Sequence, residues 1–194
     1  MRNYIDRAID FIKQVFPYIQ DSKTPAQVSY KIQLFNIHYR RNVAVHNGLS
    51  RIALITSDYV IKYDYNADVL DAIGGCENEV KLYASAKQEG FGYLFAEITP
   101  YSYHQHYFYI MPRINGVGRA FGYAHNYMTE NEISFCRKYH ITDLHPYNYG
   151  FKSGHICIID YACNLSEENS YDDTFSDYID DSCDTQSSYT NPSL

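Results

Sequence analysis

The segment from His140 to Ala162 most constrains the fold, because it combines a helix-breaking proline with a short hairpin pattern. Pro146 has a fixed backbone angle and pushes His145 into an extended or turn conformation, so no helix continues through this point. Two short runs then flank Ser153 and Gly154, and the second run, His-Ile-Cys-Ile-Ile, is apolar enough to be buried. The pattern predicts a β-hairpin with its turn at Ser153–Gly154.

Three oxygen-bearing side chains lie in this segment, and the predicted hairpin brings two of them together. Counting outward from the turn places Asn148 almost opposite Asp160, with Asp143 just upstream. An amide oxygen and a carboxylate are hard ligands that suit Mg²⁺ carrying phosphates, and a third acid can orient a nucleophile. The alternative is an ordinary surface hairpin whose acids satisfy caps and turns.

An antiparallel meander is predicted upstream, from three short apolar runs separated by tight turns. The runs are 43–46, 51–56 and 59–64, and the turns are Asn47-Gly48 and Ser57-Asp58. Lys62 lies on the third strand and shares a face with Val60, because side chains alternate along a strand. An amine among apolar neighbours is costly unless an anion pairs with it, although a lysine on an edge strand is often a solvated device against aggregation.

Helices are predicted from apolar periodicity and capping signals. They run from about 3 to 16 or 20, from Thr24 to about Ile37, from 76 to 87, and from 129 to about 139. Pro17 is expected to end or kink the first helix, and Val80, Tyr83 and Ala84 are expected to face inward on the third. The first two helices are interpreted as packing elements, with partner binding as the alternative.

A second hairpin is predicted before the last helix, with strands at 93–102 and 106–113. His104 and His106 flank its turn, and the absence of a recognisable third ligand favours a solvated turn over a metal site. Asn115 to Gly118 is interpreted as a flexible linker.

Charge is distributed unevenly along the chain. The formal net charge is −7, but residues 165–194 hold eight acidic residues and no Lys or Arg. Residues 1–164 therefore hold 16 basic and 15 acidic residues, so the body shows no signal for nucleic acid. The acidic, aliphatic-poor tail is expected to be disordered. Five scattered cysteines favour reduced thiols in a cytoplasm, and no apolar run is long enough to span a membrane.

The motif Asp-Leu-His-Pro-Tyr-Asn at 143–148, followed by Ile-Ile-Asp-Tyr-Ala at 158–162, resembles the catalytic loop and metal-binding motif of the protein-kinase-like superfamily. It is closest to the aminoglycoside- and choline-kinase-like members. The likeness covers roughly residues 43–164. It implies an α+β, minimal two-lobe fold with an antiparallel small-lobe sheet and a truncated helical large lobe.

The resemblance also assigns roles to individual residues. It makes Asp143 the catalytic aspartate, with His145 near the transferred phosphate, and it makes Asn148 and Asp160 the ligands of Mg²⁺. Lys62 would hold the phosphates of ATP and pair with Glu79, with Glu77 in reserve.

Four more residues are assigned to the cofactor site by position. Gly48 and Ser50 occupy the place of the glycine-rich phosphate loop, although protein kinases carry three glycines there and this chain has one. Val60 lies on the same strand face as Lys62. Met111 opens the expected hinge between the lobes, where backbone groups would meet adenine.

The chain departs from the family after Asp160, because no activation loop and no further large-lobe helices follow. Ile141-Thr142 also replaces the usual His-Arg before Asp143. In this respect the chain resembles minimal kinase-like proteins of phages and bacteria, including effectors delivered into host cells. We expect a helical segment over 1–40, a kinase-like core over 41–164 and a tail over 165–194, in the cytoplasm of a cell or of a host.

Two functions follow from the resemblance. The first is an ATP- and Mg²⁺-dependent phosphotransferase acting on a hydroxyl of a protein, such as a host protein, or of a small molecule. The alternative is a pseudokinase that binds and modulates a host or partner protein.

Overall fold

The computed structural model describes residues 3–48, 51–64, 75–118 and 120–161. In these ranges the chain is an α+β structure with four α-helices and a five-stranded antiparallel sheet. The helices are α1 (Tyr4–Ile19), α2 (Pro25–Tyr39), α3 (Cys76–Gln88) and α4 (Glu130–Lys138). The strands are β1 (Ala44–Asn47), β2 (Arg51–Ile55), β3 (Tyr59–Asp64), β4 (Thr99–Tyr103), β5 (His106–Pro112), β6 (Tyr149–Lys152) and β7 (His155–Ile158). The predicted tail at 165–194 lies outside the described residues.

Helix α1 continues past Pro17, which the sequence had suggested would end or kink it. A proline removes the hydrogen bond to the carbonyl four residues earlier, here that of Lys13. Both side chains are exposed and near the helix end, so water can hydrate that carbonyl. The apolar stripe of α1 is thereby extended to Ile19, which is buried.

Helix α2 begins where its capping signals predicted. The Thr24 hydroxyl accepts a hydrogen bond from the Gln27 amide at 3.3 Å, and Pro25 occupies the first turn. The Gln27 side chain reaches back one residue further than a capping box requires, because its Oε1 accepts from the Lys23 amide at 2.7 Å. The helix ends two residues beyond the expected Ile37.

The sheet has the strand order β1-β2-β3-β5-β4, and α3 connects β3 to β4 in the sequence. The predicted meander is confirmed, since β2 pairs with both β1 and β3 in antiparallel register. Lys62 lies opposite Ala53 on one side and Tyr109 on the other, so β3 is a central strand. The edge-strand alternative for Lys62 is therefore wrong.

The two faces of the sheet contact different parts of the chain. One face packs against α1 and α2 to form the first hydrophobic core, with contributions from Ile52, Leu54, Ile61, Phe108 and Ile110. The opposite face contributes Tyr109 and Met111 to a second core, which also contains residues of α3, α4 and the β6–β7 hairpin. Lys62 belongs to this second face because strand side chains alternate.

Helix α3 presents a different face from the one predicted. Its buried residues are Cys76, Glu79, Leu82 and Ala86. Val80 and Tyr83 are half-buried and Ala84 is exposed, so the expectation for Ala84 is wrong. An apolar pattern alone could not find this face, because its central residue is a glutamate that only an ion partner makes tolerable inside a protein.

The β6–β7 hairpin turns at Ser153 and Gly154 as predicted, and both residues have positive φ angles of 53° and 84°. The segment after β5 is packed, contrary to the expected flexible linker. Gly116 forms a β-bridge with Gly150, and the Val117 amide donates to the Tyr149 carbonyl at 3.2 Å. A Cβ at Gly150 would lie 2.3 Å from the Asn115 carbonyl oxygen, so a glycine is needed for this close approach.

The first half of the second predicted hairpin is only partly a strand. Residues Gly92–Leu94 form a 3₁₀ turn, Phe95 makes a parallel bridge to Ile158, and β4 begins only at Thr99. The rings of His104 and His106 pack on Phe16 at centroid distances of 5.5 and 5.0 Å, so this turn contacts α1. No helix within the described ranges is both long and apolar enough to cross a membrane.

Candidate functional site

A buried ion pair joins β3 to α3. The Lys62 Nζ lies 2.8 and 3.1 Å from the two carboxylate oxygens of Glu79. Glu79 is fully buried and Lys62 is 7% exposed. Lys62 is placed there by strand alternation and Glu79 by the first turn of α3, which begins at Cys76. The contact that the resemblance implied between these two residues is therefore present, with Glu79 and not Glu77 as the partner.

The segment following β7 completes this arrangement. The Lys62 Nζ donates to the Ile159 carbonyl at 3.0 Å, and the Tyr161 amide donates to the Glu79 Oε1 at 3.1 Å. The Tyr161 hydroxyl donates to the Ala96 carbonyl at 2.7 Å, which ties this segment to the chain before β4. Two backbone groups, the Ile159 carbonyl and the Tyr161 amide, thus attach residues 159–161 to the ion pair of β3 and α3.

Arg51, at the start of β2, is a second cation in the site. Its Nη1 lies 3.3 Å from the Glu79 Oε1 and its Nη2 lies 3.1 Å from the Asp160 Oδ1. The Lys62 Nζ is 3.6 Å from the same Asp160 oxygen. We call Arg51, Lys62, Glu79 and Asp160 the ion cluster. Its two cations and two carboxylates balance, which lowers the cost of keeping Glu79 away from water.

Burial and ion pairing act on the pKa values of the cluster in opposite directions. Burial alone would lower the pKa of Lys62, but the carboxylates of Glu79 and Asp160 outweigh it and raise that pKa. Burial raises the pKa of Glu79, and the charges of Lys62 and Arg51 oppose this. Burial would likewise raise the pKa of Asp160, yet Lys62 and Arg51 lower it to about 2. Asp160 is therefore a carboxylate and Lys62 an ammonium at neutral pH.

The loop before β6 connects Asp143 to the ion cluster through hydrogen bonds. The side-chain Nδ2 of Asn148 donates to the backbone carbonyl of Asp143 at 3.1 Å. The backbone carbonyl of Asn148 accepts from the Ile159 amide at 2.8 Å. Ile159 is in turn the residue whose carbonyl accepts from Lys62. Asn148 is therefore opposite Ile159 and one residue out of register with Asp160, close to its expected place.

His145 contacts the carboxylate of Asp143. Its Nδ1 accepts from the Tyr147 amide at 3.1 Å, so the proton of a neutral imidazole lies on Nε2. That Nε2 is 3.4 Å from the Asp143 Oδ1. Asp143 is 71% exposed, which leaves its carboxylate accessible from solvent. His145 can therefore orient Asp143 without burying it.

The remaining predicted cofactor residues are arranged differently from the expectation. The Gly48 amide, expected to approach phosphate, donates to the Arg51 carbonyl at 2.8 Å. Ser50 lies outside the described residues. Val60 is half-buried and lies opposite Met111 in the sheet. Met111 is still within β5, with its side chain in the second core, so the chain leaves the sheet only after Pro112. The expected hinge that begins at Met111 stays a prediction, because β5 ends at the next residue, Pro112.

The residues present do not fit the expected divalent ion in this arrangement. The Oδ1 of Asp160 already contacts both Arg51 and Lys62, and an ion such as Mg²⁺ would compete with two cations for it. Among the residues that the structure describes, no group of three or more His, Cys, Asp and Glu could hold a metal ion. Mg²⁺ at the Oδ1 of Asp160 would therefore be repelled by Arg51 and Lys62.

Two cavities lie away from the ion cluster. One, of about 470 Å³, lies between the α1–α2 connection and the sheet, where Lys23 and Tyr63 line it. The other, of about 440 Å³, lies beside α1 and the β2–β3 turn, where Arg7 and Asp58 line it. Neither is lined by a residue of the ion cluster. We place the candidate site on the cluster because its charges are buried and come from β2, β3, α3 and the segment after β7.

Sequence reasoning missed two members of the site, Arg51 and Tyr161. Arg51 could have been found, because the turn at Ser57–Asp58 sets a register that puts it on the same face as Lys62. Tyr161 contributes its backbone amide, and no sequence pattern indicates which amide will meet a buried carboxylate. No protein-family model matches this chain, and no curated protein is significantly similar to it in sequence.

Proposed function

We propose that this protein is a nucleoside-triphosphate-binding phosphotransferase with a reduced, protein-kinase-like architecture. The observation that carries the proposal is the buried Lys62–Glu79 pair, held beside Asp160 and linked through Ile159 and Asn148 to the Asp143 loop. A lysine held by a helix glutamate and a downstream pair of aspartates are the recurring parts of kinase sites. A solvated surface hairpin would give no reason to bury a glutamate completely.

In this proposal the γ-phosphoryl group of ATP passes to a hydroxyl of a protein or small molecule. A bond forms between the acceptor oxygen and the γ-phosphorus, and the bond from that phosphorus to the β–γ bridging oxygen breaks. Asp143 takes the hydroxyl proton, and His145 holds the Asp143 carboxylate in place. Within the ion cluster, the cations Arg51 and Lys62 supply the positive charge that faces the phosphates. Mg²⁺ on the nucleotide stays a prediction, and we assign it no ligand here.

The substitution Asp143→Asn tests the catalytic step. General-base catalysis contributes about 10²–10⁴-fold, so phosphoryl transfer from γ-labelled ATP should fall by about that factor. The melting temperature should not change, because Asp143 is 71% exposed. Asp21→Asn, which removes another exposed carboxylate, is the matched control and should transfer label at the wild-type rate.

A second candidate is favoured by the contact between Arg51 and Asp160 at 3.1 Å. A carboxylate that is already neutralised is a poor metal ligand, which is a property of a pseudokinase that binds nucleotide and modulates a partner protein. Thermal stabilisation by ATP, measured together with label transfer, separates the phosphotransferase from the pseudokinase. Stabilisation of the wild type and of Asp143→Asn by ATP, without Asp143-dependent transfer to any acceptor, supports the pseudokinase. Failure of ATP to bind at all contradicts both candidates.

A further inference from the structure

The ammonium group of Lys62 has no donor left for a ligand. It carries three N–H groups. They donate to the Glu79 Oε1 at 2.8 Å, the Glu79 Oε2 at 3.1 Å and the Ile159 carbonyl at 3.0 Å, and the Asp160 Oδ1 lies 3.6 Å away. The side chain of Lys62 is also only 9% exposed. A phosphate could contact this amine only by breaking a contact that offsets the burial of Glu79 or Asp160.

Arg51 is the cation of the cluster with donors to spare. A guanidinium carries five N–H groups in a fixed fork. Nη1 contacts Glu79 and Nη2 contacts Asp160, and the other three N–H groups have no acceptor among the described residues. Its side chain is 19% exposed, about twice the fraction of Lys62. Arg51 also begins β2, directly after the turn that the resemblance to kinases would place at the phosphates.

We propose that Arg51, and not Lys62, makes the direct contact with the nucleotide phosphates. Because Arg51 stays paired with Asp160 while it does so, nucleotide binding requires no divalent metal ion. Lys62 then acts as a positioning residue that holds Glu79, Ile159 and Asp160. The proposal rests on the nucleotide binding that both candidate functions share. A planar guanidinium can contact a carboxylate with one edge and a phosphate with another, which suits this arrangement.

Calorimetric titration with ATP, in EDTA and again in excess MgCl₂, tests the proposal on the whole chain. The wild type should bind ATP in EDTA with a Kd within about threefold of the value in MgCl₂, because no metal contact is lost. Arg51→Gln should weaken binding in EDTA by about tenfold or more, since a charge-assisted contact is lost. Inorganic tripolyphosphate, used as a second probe, should show the same loss, because the contact is to phosphate and not to the nucleoside.

Two further variants control for folding and for charge. Arg51→Lys keeps a cation beside Glu79 and Asp160 but not the fork, so it should fold and lose about threefold in EDTA. Arg7→Gln removes an arginine paired with Asp58 at 2.8 Å, outside the ion cluster, and should bind ATP like the wild type.

Each contrary outcome has a distinct meaning. If the wild type binds ATP only when MgCl₂ is present, the metal-free role of Arg51 is wrong while nucleotide binding stands. If both Arg51 variants fold and bind ATP in EDTA as the wild type does, Arg51 makes no phosphate contact. If the wild type binds neither ATP nor tripolyphosphate in either buffer, this inference and the proposed function are both wrong.

Discussion

The two faces of the central sheet differ in what they bury. The face that packs on α1 and α2 buries only hydrophobic side chains from the sheet, such as Ile61 and Ile110. The opposite face buries Lys62 together with the Glu79 of α3, beside the partly exposed Asp160. Ile61 and Lys62 are consecutive residues of β3 and point to opposite faces of the sheet. Ile61 therefore lies in an apolar environment and Lys62 in an ionic one.

This difference separates stability from function within one structural unit. Burying apolar area stabilises a fold without requiring a partner, whereas a buried ion pair gives up hydration that its attraction only roughly restores. A chain selected for stability alone would gain little from placing Lys62 and Glu79 there. The ionic face is therefore where we look for binding, and the apolar face serves as its reference.

The largest effect should come from breaking the buried pair. Glu79→Ala leaves the ammonium of Lys62 in the interior without its closest anion, and we expect the free energy of unfolding to fall by about 4 kcal/mol. Urea unfolding measures this, and ATP binding should be lost in the same variant.

The double variant Lys62→Met, Glu79→Leu sharpens that result. Replacing both charges by apolar side chains of similar size should restore stability to within about 1 kcal/mol of the wild type, because Arg51 and Asp160 still pair with each other. ATP binding should stay lost, since Asp160 and the Ile159 carbonyl no longer have Lys62 to hold them. A double variant that binds ATP normally would contradict any role of this pair in the site.

The apolar face should respond differently. Ile61→Ala removes a fully buried side chain beside α1 and α2, and we expect the free energy of unfolding to fall by about 3 kcal/mol. The Kd for ATP, measured well below the melting temperature, should not change. A parallel loss of ATP affinity would show that the two faces are coupled through β3 and would remove the comparison on which these experiments depend.

Local sequence patterns predicted much of the fold. The strands β2 and β3, the Thr24 cap and the turn at Ser153–Gly154 depend on neighbouring residues, so a single sequence contains the information. The same holds for Lys62, because strand alternation put it on a particular face. The prediction for the inner face of α3 was wrong, because the burial of Glu79 depends on an ion pair with Lys62 of β3.

The parts of the site that could not be predicted are contacts between charged side chains and backbone groups far away in the sequence. The Tyr161 amide on Glu79 and the Ile159 carbonyl on Lys62 leave no mark in the sequence. Met111 was placed at the start of a hinge by position alone, and β5 ends one residue after it, at Pro112. Motif spacing indicated the candidate site residues. Only the structure shows that Arg51 is the cation in closest contact with Asp160.

The smallest effect concerns the acid side of the pH profile and isolates Asp160. Lys62 and Arg51 lower its pKa from 3.8 to about 2 in the folded protein, against the effect of burial. A depressed folded-state pKa gives stability that is present above 3.8 and is lost as the pH falls through about 2. The difference in unfolding free energy between the wild type and Asp160→Asn should therefore be constant above pH 3.8 and should shrink as the pH falls from 3.8 to about 2. Because Asp160 is 39% exposed, solvent screens the interaction and the difference should be small.

Removing one of the two cations gives the control for this measurement. In an Arg51→Gln background only Lys62 still faces Asp160, at 3.6 Å, so the stabilising difference should be smaller and its loss should be complete at a higher pH, closer to 3.8. An unchanged midpoint would mean that Arg51 does not act on Asp160 in solution. The cation that competes with a metal at this carboxylate would then be absent, and the ionic face would regain the magnesium site that the motif spacing predicted.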